Sequence, residues 1–346
     1  MRPERPPAVV AQAPCRVDLA GGTVDIWPLY LFHPGAVTVN FAINVLTRCH
    51  VRPLPGKRIQ LKSRDTGVQD LFASFDELCA AKNFSHSLAV HLVRFFAPDG
   101  GLEMETNSES PAGAGISGSS ALMIATTAAL AQFTGRKLSR EQMRVIAQNV
   151  EAQLIRVPTG CQDYYPALYG GVNAIHLEPD GVHREAIPVA PEQIDERFLL
   201  VYTGAPRQSG INNWEVFQAH LNGDRRVWRN FERIVQIARA MHDALATADW
   251  RESARLLREE WKLRKSNSPA ITTPMIEQLV AVATKHGALA AKACGAGGGG
   301  CVVFQVEKGT KSSVAKALRK AGGRVLPCKV ARDGLMLTAA KPKVKG

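Results

Sequence analysis

The amino-acid sequence predicts an α+β fold in two halves, residues 1–195 and residues 196–346. The chain of 346 residues is long enough for about two domains, and its 45% hydrophobic and 21% charged residues are typical of globular proteins. Apolar and polar residues alternate like strands in the first third, whereas apolar residues recur at helical spacing after residue 213. Strand and helix patterns then alternate to the C-terminus, which favours α+β packing. We place the boundary near residues 190–200, after a Pro-Val-Ala-Pro segment.

The first half begins with predicted strands and continues with predicted helices. A buried helix is expected after a glycine-rich loop, over residues 119–133, because its alanine-rich apolar run ends at Gly135. Ser139 and Gln142 form the pattern of a capping box, which predicts the start of a second helix. The expected strands of this half are residues 15–20, 35–44, 45–53, 58–63, 101–106 and 171–177.

The second half is predicted to open with a strand at residues 198–203 and a long helical region from Asn213. Two apolar stripes that contain Trp228, Trp250 and Trp261 are interpreted as core-facing helix surfaces. The remaining expected elements are a helix at 274–286, a strand at 288–293, a strand at 301–306, a helix at 311–321 and a strand at 324–330.

Composition excludes several classes of protein. The longest apolar run, residues 121–133, is too short for the ~20 residues of a membrane-spanning helix. Seven cysteines without a CxxC pair and the lack of a secretory leader predict a reduced, cytoplasmic protein without a zinc site. The net charge of +12 is interpreted as a solvated cationic surface or as a field that attracts a phosphorylated substrate. We expect no nucleic-acid partner, because no RNA-recognition or zinc-finger pattern is present.

The glycine-rich loop is the most informative stretch and predicts a phosphate cradle. Glycines at this spacing let backbone N–H groups face an anion, and the following helix adds the positive end of its dipole. A dinucleotide fingerprint is disfavoured because a second helix follows, and a P-loop is absent because no Gly-Lys-[Ser/Thr] follows. A helix-capping loop without a ligand stays an alternative. The candidate residues are Pro111, Gly113, Ala114, Gly115, Ile116, Ser117, Gly118, Ser119 and Ser120.

Charged residues in three other segments predict catalysis if the segments converge. Arg16 and Asp18 share one face of an apolar strand, which is costly unless they are paired or functional; an edge-strand ion pair is the alternative. Glu151 ends a helix and Asp163 follows a Pro-Thr-Gly turn. Phosphoryl transfer to a hydroxyl requires a carboxylate, a cation and oxygen ligands for Mg²⁺, and these residues with Ser120 would supply that set. Five glycines within residues 295–300 predict a close backbone approach.

Taken together, these segments resemble the GHMP kinase superfamily. Residues 13–25 resemble its N-terminal motif, residues 110–121 its phosphate loop and residues 295–300 its C-terminal glycine motif. The resemblance is strongest to the kinases of heptose 7-phosphate and L-fucose, through residues 21–25, 163–171 and 203–207. It implies a ribosomal-S5-domain-2-like first half and a ferredoxin-like second half, with ATP and a sugar bound between them.

The resemblance also implies a role for individual residues. Asp163 matches the catalytic aspartate and Arg16 the cation beside it, while Ser120 and Glu151 match the Mg²⁺ ligands. Galactokinases carry Glu-His where this chain has Gly22-Thr23, so galactose is not expected as the substrate. The residues expected at the substrate are Asp18, Gly22, Thr23, Asp25, Tyr169, Arg207 and Gly297.

The expected activity is therefore phosphorylation of a sugar or sugar-phosphate hydroxyl with ATP and Mg²⁺. A mevalonate- or homoserine-type kinase is the alternative within the same fold. A nucleotide- or sugar-binding sensor without turnover and an RNA-binding protein are alternatives of other classes. The acceptor, the role of Asp163 as base or orienting group, and the choice between monomer and homodimer stay open.

Overall fold

The computed structural model describes residues 7–206 and 211–340, which form two β-sheets with helices packed on them. The described strands are β1 (Ala8–Ala20), β2 (Val37–Pro53), β3 (Ile59–Ser63), β4 (Gln69–Phe72), β5 (Leu102–Ser108), β6 (Val172–Glu178), β7 (Gly181–Ala186), β8 (Phe198–Tyr202), β9 (Ala288–Ala293), β10 (Cys301–Val306), β11 (Arg324–Leu326) and β12 (Met336–Ala340). The described helices are α1 (Phe75–Ala80), α2 (Ser87–Phe96), α3 (Gly118–Phe133), α4 (Arg140–Ile155), α5 (Tyr164–Tyr169), α6 (Pro191–Arg197), α7 (Ile211–Leu221), α8 (Arg225–Ala246), α9 (Trp250–Asn267), α10 (Pro274–Lys285) and α11 (Lys311–Lys320), with 3₁₀ turns at Leu29–Phe32 and Pro269–Ile271.

The first sheet is mixed and has the order β12-β1-β2-β5-β3-β4, with β6 and β7 attached through β2. Among the described strands of this sheet, β3 and β5 run parallel and the other neighbours are antiparallel. Helix α3 packs on β1 and β2. It is buried almost all round, which fits its alanine-rich sequence because small side chains let neighbouring elements approach on every side.

The second sheet is antiparallel, with the order β11-β8-β10-β9, and α10 and α11 pack on it. Helices α8 and α9 pack against each other and connect the halves, since α8 also packs on β1 and β2 while α9 packs on β9. One hydrophobic core contains buried residues of both halves. Because the two sheets share this core, side chains on one sheet keep a fixed position relative to side chains on the other.

The α+β prediction is confirmed, and most expected elements lie within a few residues of their observed bounds. The Ser139–Gln142 capping box forms at the start of α4 as predicted. Two expected strands, residues 35–44 and 45–53, are the single strand β2. The chain continues because β2 pairs with β6 over its first part and with β5 over its second. The junction is a bulge in β2, where Asn44 and Val45 are extra residues opposite Pro14 and Cys15 of β1.

The C-terminal strand was not predicted. β12 pairs with β1 and so lies in the first sheet, although the expected boundary assigned its residues to the second half. The division of the chain at residues 195 and 196 stays a prediction. Within the described part of the chain, none of the helices combines the length and the apolar character that crossing a bilayer requires.

Candidate active site

The predicted loops surround one cleft with a volume of about 360 Å³. Its walls are the glycine loop with the start of α3, the inner end of β1, the segment before α5, and residues of α9 and the second glycine run. The cleft therefore lies where the two halves meet. Among the residues that line it are Arg16, Asp18, Ser120, Glu151 and Asp163, which are separated along the chain but converge here.

The glycine loop has the geometry of an anion cradle. Gly113 and Gly115 have φ angles of +65° and +77°, which residues with a Cβ rarely adopt. Helix α3 begins at Gly118, and the side chain of the preceding Ser117 does not cap it. The backbone N–H groups of the first turn therefore receive no hydrogen bond from this side chain and can face an anion. The second glycine run, residues 295–300, packs closely against this loop: a Cβ on Gly300 would lie 2.7 Å from the Ala114 carbonyl oxygen.

Buried Arg16 and partly exposed Asp163 form an ion pair at the mouth of the loop. The Arg16 Nη2 atom lies 2.6 Å from Asp163 Oδ1, and Nε donates to the same oxygen at 2.8 Å. Arg16 Nη1 donates to the Gly115 carbonyl at 2.8 Å, and the Arg16 backbone N–H donates to Ile116. Burial alone would lower the pKa of Arg16, but the neighbouring carboxylates of Asp163 and Asp18 raise it above its ordinary value. The guanidinium is therefore a fixed positive charge beside the cradle.

Glu151 supplies a buried carboxylate next to the two serines that begin α3. Its oxygens accept hydrogen bonds of 2.6 Å from Ser119 Oγ and from the Tyr164 hydroxyl. Burial raises the pKa of Glu151, against the lowering effect of these bonds and one from Ser120. A carboxylate and serine hydroxyls are hard oxygen donors of the kind that Mg²⁺ takes beside phosphate oxygens and water. The donor set at this end of the cleft therefore fits Mg²⁺.

Asp18 is the centre of a charge network that the sequence did not reveal. Lys292 Nζ lies 2.7 Å from Asp18 Oδ2 and 2.8 Å from Glu260 Oε1, and Arg264 Nη1 lies 3.5 Å from Asp18 Oδ2. Burial acts to raise the pKa of Asp18, but Lys292, Arg16 and Arg264 hold it well below its usual range. Lys292 is a charged residue in an alanine-rich strand. Because such a charge is costly to bury unless it is paired or functional, the sequence could have indicated Lys292 as it indicated Arg16 and Asp18.

The loop after β1 is held by side-chain contacts on both sides. Gly21 N–H donates to Glu260 Oε2 at 3.0 Å, and Thr23 Oγ1 donates to Asn213 Oδ1 at 3.1 Å. Asp25 accepts from the backbone N–H groups of Thr23 and Gln162 at 3.1 and 2.9 Å. Burial raises the pKa of Asp25 to about 6, so this carboxyl is mostly anionic only above about pH 6. The loop thereby presents a rigid polar wall to the cleft.

The cleft does not include every residue that the sequence placed at the site. Ile116 is a core side chain that contributes only its carbonyl. Tyr169 does not line the cleft: its ring stacks on Tyr165, with the guanidiniums of Arg140 and Arg184 on it at 4.5 and 4.8 Å.

Gly297 also lies outside the lining, because it packs against Ile271; a Cβ there would come within 2.4 Å of that residue. Arg207 falls outside the described residues. The other expected residues line the cleft, namely Pro111, Gly113, Ala114, Gly115, Ser117, Gly118, Ser119, Ser120, Glu151, Asp163, Arg16, Asp18, Gly22, Thr23 and Asp25.

Two family models match the chain, "GHMP kinases N terminal domain" over residues 78–171 and "GHMP kinases C terminal" over residues 241–324. The sequence is 26% identical to D-glycero-alpha-D-manno-heptose 7-phosphate kinase from Campylobacter jejuni, over 94% of this chain and 97% of that protein. It is also 26% identical to L-fucokinase/L-fucose-1-P guanylyltransferase from Bacteroides fragilis, over 88% of this chain and 35% of that protein.

Comparison with solved structures agrees with these sequence matches. The fold is similar to the crystal structure of a D-glycero-D-manno-heptose 1-phosphate kinase from Bacteroides thetaiotaomicron, with a TM-score of 0.77 and 24% identity. The similarity covers 96% of this chain and 99% of that one. At this identity, the likeness establishes the shared fold.

Proposed function

This chain belongs to the GHMP kinases, and we propose that it transfers the γ-phosphoryl group of ATP to a hydroxyl of a sugar or sugar phosphate. The observation that carries the proposal is the Arg16–Asp163 pair, joined at 2.6 Å directly beside the glycine loop. A carboxylate that faces the acceptor and a cation that faces the transferred group are the two protein charges that this reaction requires. Here both groups reach the same cleft as the anion cradle.

The glycine loop and the start of α3 would hold the triphosphate. Backbone N–H groups and the positive end of the α3 dipole offset its negative charge without an additional lysine. Leu88, Leu122 and Ile155 line the cleft as well and offer an apolar surface for the nucleotide base. The cleft thus combines a polar cradle with an apolar wall, as a nucleotide requires.

Asp163 and Arg16 would act at the acceptor. Asp163 is partly open to the cleft, with a side chain 23% exposed, whereas the Arg16 side chain is 3% exposed. The Asp163 carboxylate orients the acceptor hydroxyl or accepts its proton, while Arg16 stabilises the charge on the transferred group. Since Arg16 also donates to the Gly115 carbonyl, its distance from the cradle is fixed before substrates bind.

Glu151 and Ser120 would hold Mg²⁺ against the phosphates. When bound, this ion neutralises charge on the β- and γ-phosphoryl oxygens. The hydroxyls of Ser119 and Tyr164 hold both Glu151 oxygens in place. The buried carboxylate is thus oriented from two sides, which limits the rearrangement that metal binding requires.

The choice of a sugar acceptor rests on the relatives. The matched proteins from Campylobacter jejuni and Bacteroides fragilis are named as kinases of a heptose phosphate and of fucose. The proposed cleft is also polar at the end near Thr23 and Asp25, as a polyhydroxyl acceptor requires.

The test is ADP release from ATP and Mg²⁺ across a panel of heptose phosphates, hexoses, fucose, mevalonate and homoserine. We expect turnover with a sugar, and we expect Asp163→Asn to lower kcat by roughly 10²-fold or more while ATP affinity stays near that of the parent protein. Turnover with mevalonate or homoserine alone would refute the sugar assignment. Binding of ATP and a sugar without ADP release would instead indicate a sensor.

A further inference from the structure

Three polar side chains converge on the place where Gly22 lacks a side chain. A Cβ on Gly22 would lie 3.1 Å from Asp18 Oδ2, 3.2 Å from Gln162 Nε2 and 3.6 Å from Arg264 Nη1. These side chains come from three separate elements: β1, the segment before α5, and α9. All four residues line the cleft, so the small space over Gly22 opens to a bound acceptor.

Arg264 brings an unused hydrogen-bond donor to this space. Its Nη2 atom donates to the Gly295 carbonyl at 2.6 Å, while Nη1 is buried and, among the described residues, lacks a hydrogen-bond acceptor. The residue is only 4% exposed. A buried donor without an acceptor destabilises the site, so a group that accepts from Nη1 is favoured at this position.

Gln162 brings a second donor to the same space, because its Nε2 atom is the one that would lie 3.2 Å from a Cβ on Gly22. The residue is 5% exposed, and its Oε1 atom is buried without a donor in the described part of the chain. Its backbone N–H donates to Asp25, which fixes the start of the side chain. Two donors, Arg264 Nη1 and Gln162 Nε2, and the Asp18 carboxylate therefore face the gap that Gly22 leaves.

We propose that Arg264 and Gln162 form a pocket over Gly22 that binds a second hydroxyl of the acceptor, near the hydroxyl that is phosphorylated. A hydroxyl has two acceptor lone pairs and one O–H donor, so it accepts from Arg264 Nη1 and Gln162 Nε2 and donates to Asp18 Oδ2. Gln162 directly precedes Asp163, which places this pocket beside the proposed reacting hydroxyl. The inference rests on the proposed function and narrows the substrate class to acceptors with neighbouring hydroxyls.

The surroundings favour a neutral hydroxyl over a phosphate or carboxylate. The Asp18 carboxylate faces the same space and lies 3.5 Å from Arg264 Nη1, so it would repel an anion there. A phosphate group on the acceptor would therefore bind elsewhere in the cleft.

The first experiment compares kcat/KM for the best sugar acceptor with that of its singly deoxygenated analogues. We expect one deoxy analogue, besides the one that lacks the reacting hydroxyl, to lose at least about 10²-fold in the parent protein, since its binding leaves both polar groups unpaired. In Gln162→Met we expect this discrimination to fall below about tenfold. The matched control is Gln193→Met, which removes another buried, unpaired amide oxygen that lies outside the cleft and leaves the discrimination intact.

A second variant tests the pocket without removing a polar group. Gly22→Ala places a methyl group in the space, and we expect the parent sugar to fall to the level of that deoxy analogue while the KM for ATP is unchanged. The parent protein and Gln162→Met could both turn over sugars and lose the same activity with every deoxy analogue. That result would overturn the pocket but leave the proposed function standing. If none of the sugars in the panel supports ADP release by the parent protein, the proposed function fails, and the pocket with it.

Discussion

Lys292→Met is the most demanding test of the charge network beneath the cleft. Lys292 is fully buried and contacts two carboxylates, Asp18 at 2.7 Å and Glu260 at 2.8 Å. Arg16, Lys292 and Arg264 balance Asp18, Glu260 and Asp163, so the buried network is neutral. Methionine has a similar length but no charge, and the variant leaves one carboxylate in excess.

The expected loss of stability follows from this imbalance. Removing one partner of a buried ion pair costs about 3–5 kcal/mol, because the remaining charge stays out of water without compensation. Asp18 keeps Arg16, Arg264 and the Gly295 N–H, whereas Glu260, among the described residues, keeps only the Gly21 N–H. Most of the excess charge therefore lies on Glu260. We expect Glu260→Gln in the same chain to restore about 2 kcal/mol, since its amide oxygen still accepts from Gly21.

Urea denaturation of both single variants and of the double variant, at pH 7, measures these free energies of unfolding. The control is Lys308→Met, which breaks an exposed pair with Glu196 at 3.2 Å and is expected to cost less than about 1 kcal/mol. A loss in the double variant that equals the sum of the single losses would refute the coupling. A loss in Lys292→Met no larger than that of the control would refute the network itself.

Three further changes probe the cradle, the acid response and the metal site. Gly300→Ala is expected to raise the KM for ATP by at least tenfold, because its Cβ would press on the first glycine loop at 2.7 Å; Gly309→Ala, with a φ of +89° but open space, controls for the backbone cost. Burial lowers the pKa of His33 to about 4 and also lowers that of His220, whose Nε2 lies 2.7 Å from His33 Nε2. The neutral pair therefore contributes fully to the stability of the fold above about pH 6.5, and this contribution is lost as the pH falls toward 4. We expect His33→Gln to reduce the loss of stability between pH 7 and pH 5 by about 2 kcal/mol in urea denaturation, and an unchanged loss would contradict this. Glu151→Gln should raise the Mg²⁺ concentration for half-maximal ADP release by roughly tenfold, and an unchanged Mg²⁺ dependence would remove Glu151 from the metal site.

Local sequence signals predicted the parts of the molecule that depend on the backbone nearby. The capping box at Ser139 forms because a side chain and an N–H group only three residues apart satisfy each other. The glycine loop adopts positive φ angles at Gly113 and Gly115 for the same kind of reason, since only residues without a Cβ tolerate them readily. Helix α3 likewise follows from its own apolar run.

Charged residues in apolar strands predicted that a site exists, but they did not predict all the residues that line it. Arg16 and Asp18 stood out because burying charge is costly, and both line the cleft. Tyr169 lay in a matching motif, yet its ring stacks on Tyr165 away from the cleft. A motif fixes the backbone path of α5, whereas the direction of one side chain depends on what packs around it.

Long-range pairing decided the remainder. Asp18 and Lys292 are 274 positions apart and meet only because α8 and α9 connect the two sheets. The return of β12 to β1 and the convergence of Gln162 and Arg264 over Gly22 also join segments that share no local signal. Hydrogen bonds within a turn are encoded by adjacent residues, whereas the partner of a buried charge is selected by the folded core as a whole.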